Sequence, residues 1–385
     1  MDLINRNYLV FYLNTIWDKI ASSLMNIFTW VFFYSMWMPI HFILLFYWLE
    51  FWLRWVFSPL GSILPTKIWV KLSLLISYLI LIPYFTLVSF AETNLYLAFF
   101  AFIFQSAARW IFYPCTAYLK TILVEEKHRW RQRSIEQVIA TLSTIIWISL
   151  WTFVLANYSY SVLAIIVWII IFLTWNTFFL LKISKDKPKE ENNKYIDNYK
   201  FLSSEEFRPN LLALTGQSLT IISTILLPLF IYIIIWDIKT FWIILWASLI
   251  IEMLFTYFFW KKLDKNLHSE SISLSSKALT ISNLLSLSLF IIKSPYYIIF
   301  LNLYNKISWN IFATSVNTWF HKIAKKSSNP MKFSSWVQMT LCFTEVIFLS
   351  IFALIAYFIW VKIFIIMLLW WILWTFLVRK YLKIK

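Results

Sequence analysis

Residues 161–194 have the sequence S-V-L-A-I-I-V-W-I-I-I-F-L-T-W-N-T-F-F-L-L-K-I-S-K-D-K-P-K-E-E-N-N-K. The part before Lys182 is almost entirely apolar and is long enough, as an α-helix, to cross about 30 Å of hydrocarbon. The part from Lys182 onward is charged and poor in apolar residues, which is typical of a flexible linker. This stretch therefore predicts a transmembrane helix that ends in a polar linker near the middle of the chain.

Comparable apolar stretches run along the whole chain, which is 61% hydrophobic and has a mean hydropathy of +0.73. Soluble proteins are about 45–50% apolar, so a soluble fold is excluded. In lipid a spanning backbone must close its hydrogen bonds internally, so each stretch is predicted to be a helix. The sequence thus predicts an all-α membrane protein with twelve transmembrane helices. The predicted spans are 9–34, 40–57, 71–89, 95–118, 135–156, 161–181, 209–235, 240–259, 275–292, 295–318, 335–357 and 361–378.

Positive charge alternates between the segments that connect the spans. One set of segments holds 27 lysines and arginines, and the opposite set holds only Lys239, Lys293 and Lys362. Cationic loops stay in the cytoplasm, so both termini are predicted to be cytoplasmic and the protein to reside in the cell membrane. The net charge of +16 is expected to meet anionic lipid headgroups. Nucleic-acid binding is excluded, because no basic segment is long enough to form a domain.

The linker divides the spans equally. Six precede it and six follow it, which predicts three units: 1–183 as one six-helix bundle, 184–207 as a cytoplasmic linker, and 208–385 as a second bundle. The bundles are expected to be related by pseudo-symmetry, and the chain is expected to act as a monomer.

Two cationic loops occupy matching places in the two halves. The loop after the second span is S-I-L-P-T-K-I-W-V-K, Ser62–Lys71, and the loop after the eighth is W-K-K-L-D-K-N, Trp260–Asn266. The chain here resembles the major facilitator superfamily, whose corresponding loops have a G-x-x-x-D-R/K-x-G-R/K-R/K pattern. The second loop keeps the acid and the cation of that pattern, whereas the first has Thr66 in place of the acid.

The resemblance implies two six-helix bundles that rock about a bound solute, with these loops locking and releasing helix ends on the cytoplasmic side. Its layout extends over the whole chain, but its motifs occur in only a few places. The residues that it assigns to gating are Lys67, Lys71, Trp260, Asp264 and Lys265.

Ionisable residues inside spans are costly unless they are paired or face water, so they are candidates for a substrate or proton site. These candidates are Asp18, Arg109, Glu252, Lys306 and Glu345. Arg109 is expected to bind an anionic substrate or to pair with Asp18, and Lys306 to serve as counter-ion for the two glutamates. A purely structural buried pair remains the alternative for each of them.

Two other charged pairs receive a structural interpretation. Glu50 and Arg54 are four residues apart on the second span, so they are expected to pair with each other. Glu136 begins the fifth span near the inner surface, where an acidic side chain suits the first turn of a helix.

Glycine and tryptophan occur in unusual numbers: the chain has 2 glycines and 24 tryptophans. An average protein of this length has about 27 glycines. Tryptophan belts at the membrane surface do not account for Trp147, Trp168 or Trp246, which are predicted to lie well inside the bilayer. Some bacterial lineages translate UGA as glycine, so we hypothesise that most of these tryptophans are glycines. The alternative is a protein that is truly rich in tryptophan.

The sequence favours a secondary transporter for a small solute, driven by an ion or solute gradient with protons as the candidate coupling ion. No cofactor is expected, since the chain has no nucleotide-binding glycine loop. No metal site is expected, since the four histidines are scattered and Cys115 and Cys342 lie in or beside apolar stretches. The alternatives are a membrane enzyme acting on lipid-linked substrates, which the dispersed histidines disfavour, and a non-transporting scaffold or sensor with the same fold.

Overall fold

The structure is a computed structural model. It describes residues 10–14, 16–17, 33–34, 37–91, 94–123, 129–158, 160–180, 195, 199, 211–235, 237–263, 268–292, 294–327, 329–359, 364–367, 369–370 and 372. These residues are helical or lie in short turns, and none of them is in a β-strand. The prediction of an all-α chain therefore holds for the described part.

Ten long helices are described, and a short 3₁₀ helix, Ser288–Phe290, extends the eighth of them. Proline lies inside several of these helices, including Pro59 and Pro65 in Ile40–Ile68 and Pro114 in Leu95–Leu123. The helices are α1 Ile40–Ile68, α2 Val70–Ser89, α3 Leu95–Leu123, α4 Arg129–Asn157, α5 Tyr160–Phe179, α6 Leu211–Ile235, α7 Ile238–Leu263, α8 His268–Leu287, α9 Pro295–Lys326 and α10 Pro330–Ile359.

The ten predicted spans between residues 40 and 357 each coincide with one of these helices. The first and last spans, 9–34 and 361–378, fall largely outside the described residues, so the count of twelve stays a prediction. Four of the described helices are long and apolar enough to cross a membrane. They are Ile40–Ile68, Val70–Ser89, Tyr96–Leu123 and Pro330–Phe358.

The predicted loop at Ser62–Lys71 is wrong in its extent. Helix α1 continues to Ile68 and α2 begins at Val70, so only Trp69 separates them. The polar residues that indicated a loop are accommodated inside the helix, because Ser62 Oγ donates to the Pro59 carbonyl at 2.8 Å and Thr66 Oγ1 to the Ile63 carbonyl at 2.6 Å. A hydroxyl that bonds to its own helix backbone does not require a turn.

The second predicted loop, Trp260–Asn266, is also shorter than expected. Helix α7 extends to Leu263, so Trp260 belongs to the helix and not to a loop. Positions 264–267 lie outside the described residues.

The two halves meet chiefly along two helix pairs. Helix α1 packs against α10, and α4 packs against α7. Within the first half α1 packs against α3 and α2, and α2 packs against α5. One large cluster of buried apolar side chains includes members from both halves, such as Phe102 in α3 and Phe352 in α10. Apolar burial therefore joins helices from the first half of the chain to helices from the second.

Candidate functional site

Helix α1 has a buried ion pair at the middle of its length. Arg54 Nη2 contacts Glu50 Oε1, one helical turn away, and both side chains are buried. The predicted pairing of these two residues is therefore present. Arg54 also lies over the ring of Phe51, with its guanidinium carbon 4.9 Å from the ring centre. Arginine suits this position because its planar group pairs with carboxylates and stacks on aromatic rings.

Arg54 also reaches the other half of the molecule. Glu345 is buried on α10, the helix that packs against α1, and it interacts electrostatically with Arg54. Arg54 is thus near two carboxylates, one from each half. The sequence predicts Lys306 as the counter-ion of Glu345, whereas in the structure Arg54 interacts with Glu345. The direction in which each helix faces is set by the packing of α1 on α10, which spacing along the chain does not reveal.

A second buried arginine lies beside this group. Arg109 on α3 and Arg54 on α1 both lie over the ring of Tyr113, at 5.6 Å and 5.4 Å from the ring centre. Electron-rich ring faces attract cations, so one tyrosine holds two positive groups near each other. We call Glu50, Arg54, Arg109, Tyr113 and Glu345 the interhalf charge cluster. Two acids and two bases make it formally neutral, which is the arrangement a membrane interior tolerates.

The second half contains a ladder of polar side chains between α7 and α9. Asn310 Nδ2 donates to Glu252 Oε1 at 2.5 Å, and Asn302 Nδ2 donates to Ser248 Oγ at 2.9 Å. Lys306 lies between the two asparagines along α9 and interacts electrostatically with Glu252. The ladder consists of Ser248, Glu252, Asn302, Lys306 and Asn310.

The two charged members of this ladder, Glu252 and Lys306, are predicted from the sequence, whereas its neutral members are not. The available signal was spacing: Asn302, Lys306 and Asn310 are four residues apart and so share one face of α9. The same spacing relates Ser248 to Glu252 on α7.

The remaining candidates are distributed as follows. Lys67 lies in the last turn of α1 and Lys71 in the first turn of α2, so they flank Trp69. Asp18, Asp264 and Lys265 lie outside the described residues, and the expected pairing of Asp18 with Arg109 is therefore not tested.

The halves are bridged at the end of the molecule where α1 ends and α10 begins, which we call the linker side. Ser335 Oγ on α10 donates to the Ser58 carbonyl on α1 at 3.1 Å. Thr121 Oγ1 on α3 lies 3.2 Å from His321 Nδ1 on α9. Both contacts join the first half to the second.

The opposite end is bridged by aromatic rings. Tyr34 contacts Tyr232 edge to face, with ring centres 6.3 Å apart, and His41 contacts Tyr357 at 5.4 Å. The interhalf charge cluster thus lies between contacts on both sides.

Several solved structures have a similar architecture. No family model matches the chain, and no curated protein matches it. Among solved structures, it is similar to the E. coli fucose:proton symporter FucP, with a TM-score of 0.67, 14% identity and 100% of each chain covered. It is similar to the human organic anion transporter MFSD10, with a TM-score of 0.68, 10% identity, and 97% and 99% covered. It is similar to the nucleoside transporter NupG, with a TM-score of 0.67, 14% identity, and 98% and 100% covered.

These likenesses extend over essentially the whole chain, and at this level of identity they show the fold. The chain has the major facilitator superfamily transporter fold, as its loops and layout indicated. Together with the long apolar helices, this fold makes it a multi-pass membrane protein.

Proposed function

We propose that this protein is a secondary active transporter that moves a small solute across the cell membrane by alternating access. The fold supports the proposal, since in this architecture two bundles rock about a site between them. The observation that carries it is the position of Arg54, which pairs with Glu50 in its own half and interacts with Glu345 in the other. Because Arg54 is buried and interacts with a carboxylate of each half, its electrostatic interactions change when the two bundles move apart.

Protons are the proposed coupling ion. Separation of α1 from α10 removes Arg54 from Glu345, and a carboxylate that loses its cation in an apolar setting takes up a proton. Glu252 has Lys306 and Asn310 as partners in the ladder and is the second candidate carrier. Asp18 is the third, from its place in the first predicted span.

The solute class stays open among small polar molecules. The structural neighbours are named for fucose, nucleosides and organic anions. Two buried arginines favour an anionic group, whereas the amides of the ladder favour a hydroxylated one. Solutes of these three classes are therefore the panel to assay first.

The test is transport by the purified full chain in lipid vesicles with a pH-sensitive dye inside. We expect one solute of the panel to drive proton movement. Changing Asp18→Asn, Glu252→Gln or Glu345→Gln is expected to abolish coupled proton movement in at least one variant, while exchange of internal for external solute persists because exchange requires no net proton transfer. The control is Glu136→Gln, which removes an ion pair with Lys120 between α3 and α4, within one half. Glu136 does not lie in the first turn of its helix as the sequence predicted, because α4 already begins at Arg129. Full proton coupling in all three variants would refute proton coupling through these residues.

We further propose that the linker and both termini are cytoplasmic and that the protein acts as a monomer. The lysine and arginine asymmetry supports the orientation. Labelling that placed Lys189 and Lys265 on opposite sides of the membrane would contradict it.

A further inference from the structure

Two residues that separate helices have a backbone conformation that residues other than glycine rarely adopt. The φ angle is +64° at Trp37 and +76° at Trp69, and in the described part of the chain these are the only non-glycine residues with positive φ. Such angles are uncommon outside glycine, and asparagine, aspartate and histidine are the usual exceptions. Tryptophan is bulky and has no short polar group that could bond to its own backbone, so nothing in its chemistry favours this conformation.

Trp37 lies in a helix-ending motif. Its N–H donates to the Tyr34 carbonyl at 3.0 Å, and the Met38 N–H donates to the Phe33 carbonyl at 3.1 Å. These two bonds define the Schellman motif, in which the residue at the position of Trp37 is left-handed and usually glycine. The buried side chains of Met38 and Phe33 stand where that motif places its apolar contact, and Pro39 follows. The Trp37 side chain itself is 82% exposed, so its burial does not compensate for the strain.

Trp69 occupies the single position between α1 and α2. Its angles, φ +76° and ψ +147°, lie at the edge of the region of positive φ and extended ψ that essentially only glycine adopts. Its side chain is 44% exposed and makes no capping hydrogen bond to α2. In the superfamily pattern that this segment resembles, the residue two places after the cation Lys67 is a glycine.

The composition of the chain makes tryptophan at both positions unexpected. Tryptophan fills 24 of 385 positions, so tryptophan at both of the positive-φ sites found among the described residues would arise by chance less than once in a hundred cases. The chain contains only two glycines, although glycine is the residue that such sites select.

We infer that residues 37 and 69 are glycines in the native protein, and that most of the 24 tryptophans are glycines encoded by UGA. The evidence differs among positions. Trp48 and Trp52 stack on each other at 5.9 Å on a partly exposed face of α1, and this pair does not by itself require glycine. The inference therefore rests on the backbone conformations at residues 37 and 69. It extends to the other tryptophans because a codon that is translated as glycine at these two positions is translated as glycine wherever it occurs. It does not depend on the proposed transport function.

Glycine at position 69 has a consequence for gating. A residue without a side chain allows α1 and α2 to change their relative angle at one point, between Lys67 and Lys71. The two cations would then move with the ends of different helices.

Mass spectrometry of the protein isolated from its own cells tests the inference directly. We expect the peptides that contain residues 37 and 69 to have the masses of the glycine forms, and the gene to have UGA at both codons. Tryptophan at either position, or UGG codons at both, would overturn it.

A second experiment tests the conformational argument on the recombinant chain that has tryptophan at all 24 positions. Trp37→Gly and Trp69→Gly are each expected to raise the apparent Tm, by about 2–4 °C, because strain is relieved. The matched control is Trp168→Gly, on an exposed face in the interior of α5, which is expected to leave Tm unchanged or lower it, since glycine disfavours helix. If neither Trp37→Gly nor Trp69→Gly raised the Tm, the inferred backbone strain at these positions would be contradicted.

Discussion

Gly61 lies where α1 crosses α3, and the crossing leaves no room for a side chain. A Cβ atom built at this position would lie 2.0 Å from the Trp110 carbonyl oxygen and 3.2 Å from Pro114 Cγ. The obstacle is backbone, which cannot rotate away as a side chain can. Close approach of this kind through small residues is how helices associate in lipid, where apolar burial alone gives little preference for one partner.

Gly61→Ala is therefore expected to destabilise the folded protein. Alanine gains about 1 kcal/mol over glycine in helix propensity. Overpacking costs about 1–3 kcal/mol or more and dominates here, because α1 and α3 must move apart along both helices. Unfolding in detergent with increasing denaturant measures the difference.

The control for this substitution is Leu79→Ala, at an exposed position of α2, which is expected to change the free energy of unfolding by less than about 0.5 kcal/mol. Equal stability of Gly61→Ala and the unmodified protein would show that α1 and α3 are not in close contact at Gly61.

At the scale of elements, the linker is attached to α1 through two tyrosines. The hydroxyls of Tyr195 and Tyr199 both donate to the Val56 carbonyl, the latter at 2.7 Å. The two phenols lie 3.2 Å apart, and they fix this part of the linker to the side of α1.

Replacing both tyrosines with phenylalanine is expected to release the linker. Each lost hydrogen bond contributes about 1 kcal/mol, so the detached population should rise by about tenfold or more. Limited trypsin digestion at the linker lysines measures this as faster cleavage. Tyr96→Phe, on an exposed tyrosine of α3, is the control, and unchanged cleavage of the double variant would disprove the attachment.

The pH dependence of this attachment has a definite sign. Burial, followed by the hydrogen bond with Tyr195, raises the pKa of Tyr199 above its ordinary value of 10.0. A group with a raised pKa contributes stability that is complete below the ordinary pKa and is lost as pH rises through the higher one. Linker protection should therefore be constant across neutral pH and decline only in strongly alkaline solution.

At the scale of the whole molecule, contacts join the two halves at both ends, on either side of the interhalf charge cluster. On the linker side Thr121 and His321 come within 3.2 Å, and on the opposite side Tyr34 meets Tyr232. Alternating access requires the two ends to separate in turn. The Thr121–His321 contact must then break each time the linker side opens.

Joining these two positions is expected to stop transport. In a background with Cys115 and Cys342 replaced by alanine, Thr121→Cys and His321→Cys are linked with a short reducible reagent. Solute uptake should fall to that of empty vesicles and return on reduction, because the halves can no longer separate there.

The matched control links positions 120 and 136, which hold an ion pair at 2.6 Å between α3 and α4 in the same half. That link is expected to leave transport intact. Full transport by the Thr121–His321 linked protein would contradict the proposed motion.

The sequence by itself determined the helical membrane class, the approximate position of ten helices but not all of their ends, and the resemblance to the superfamily fold. Hydropathy, loop charge and short motifs are local properties, so they can be read without knowing what lies opposite. It also determined the Glu50–Arg54 pair, since both members lie on one turn of one helix.

Only the tertiary structure decided which distant groups meet. Glu345 faces Arg54, and Glu252 receives a hydrogen bond from Asn310, because the rotation and crossing of helices set these contacts. The continuation of α1 to Ile68 was likewise missed, since Pro65 and Thr66 favour a turn locally and the packed helix overrides that preference. The strained backbone at Trp37 and Trp69 also became visible only there, because residue type suggests a conformation but the path of the chain between two packed helices imposes it.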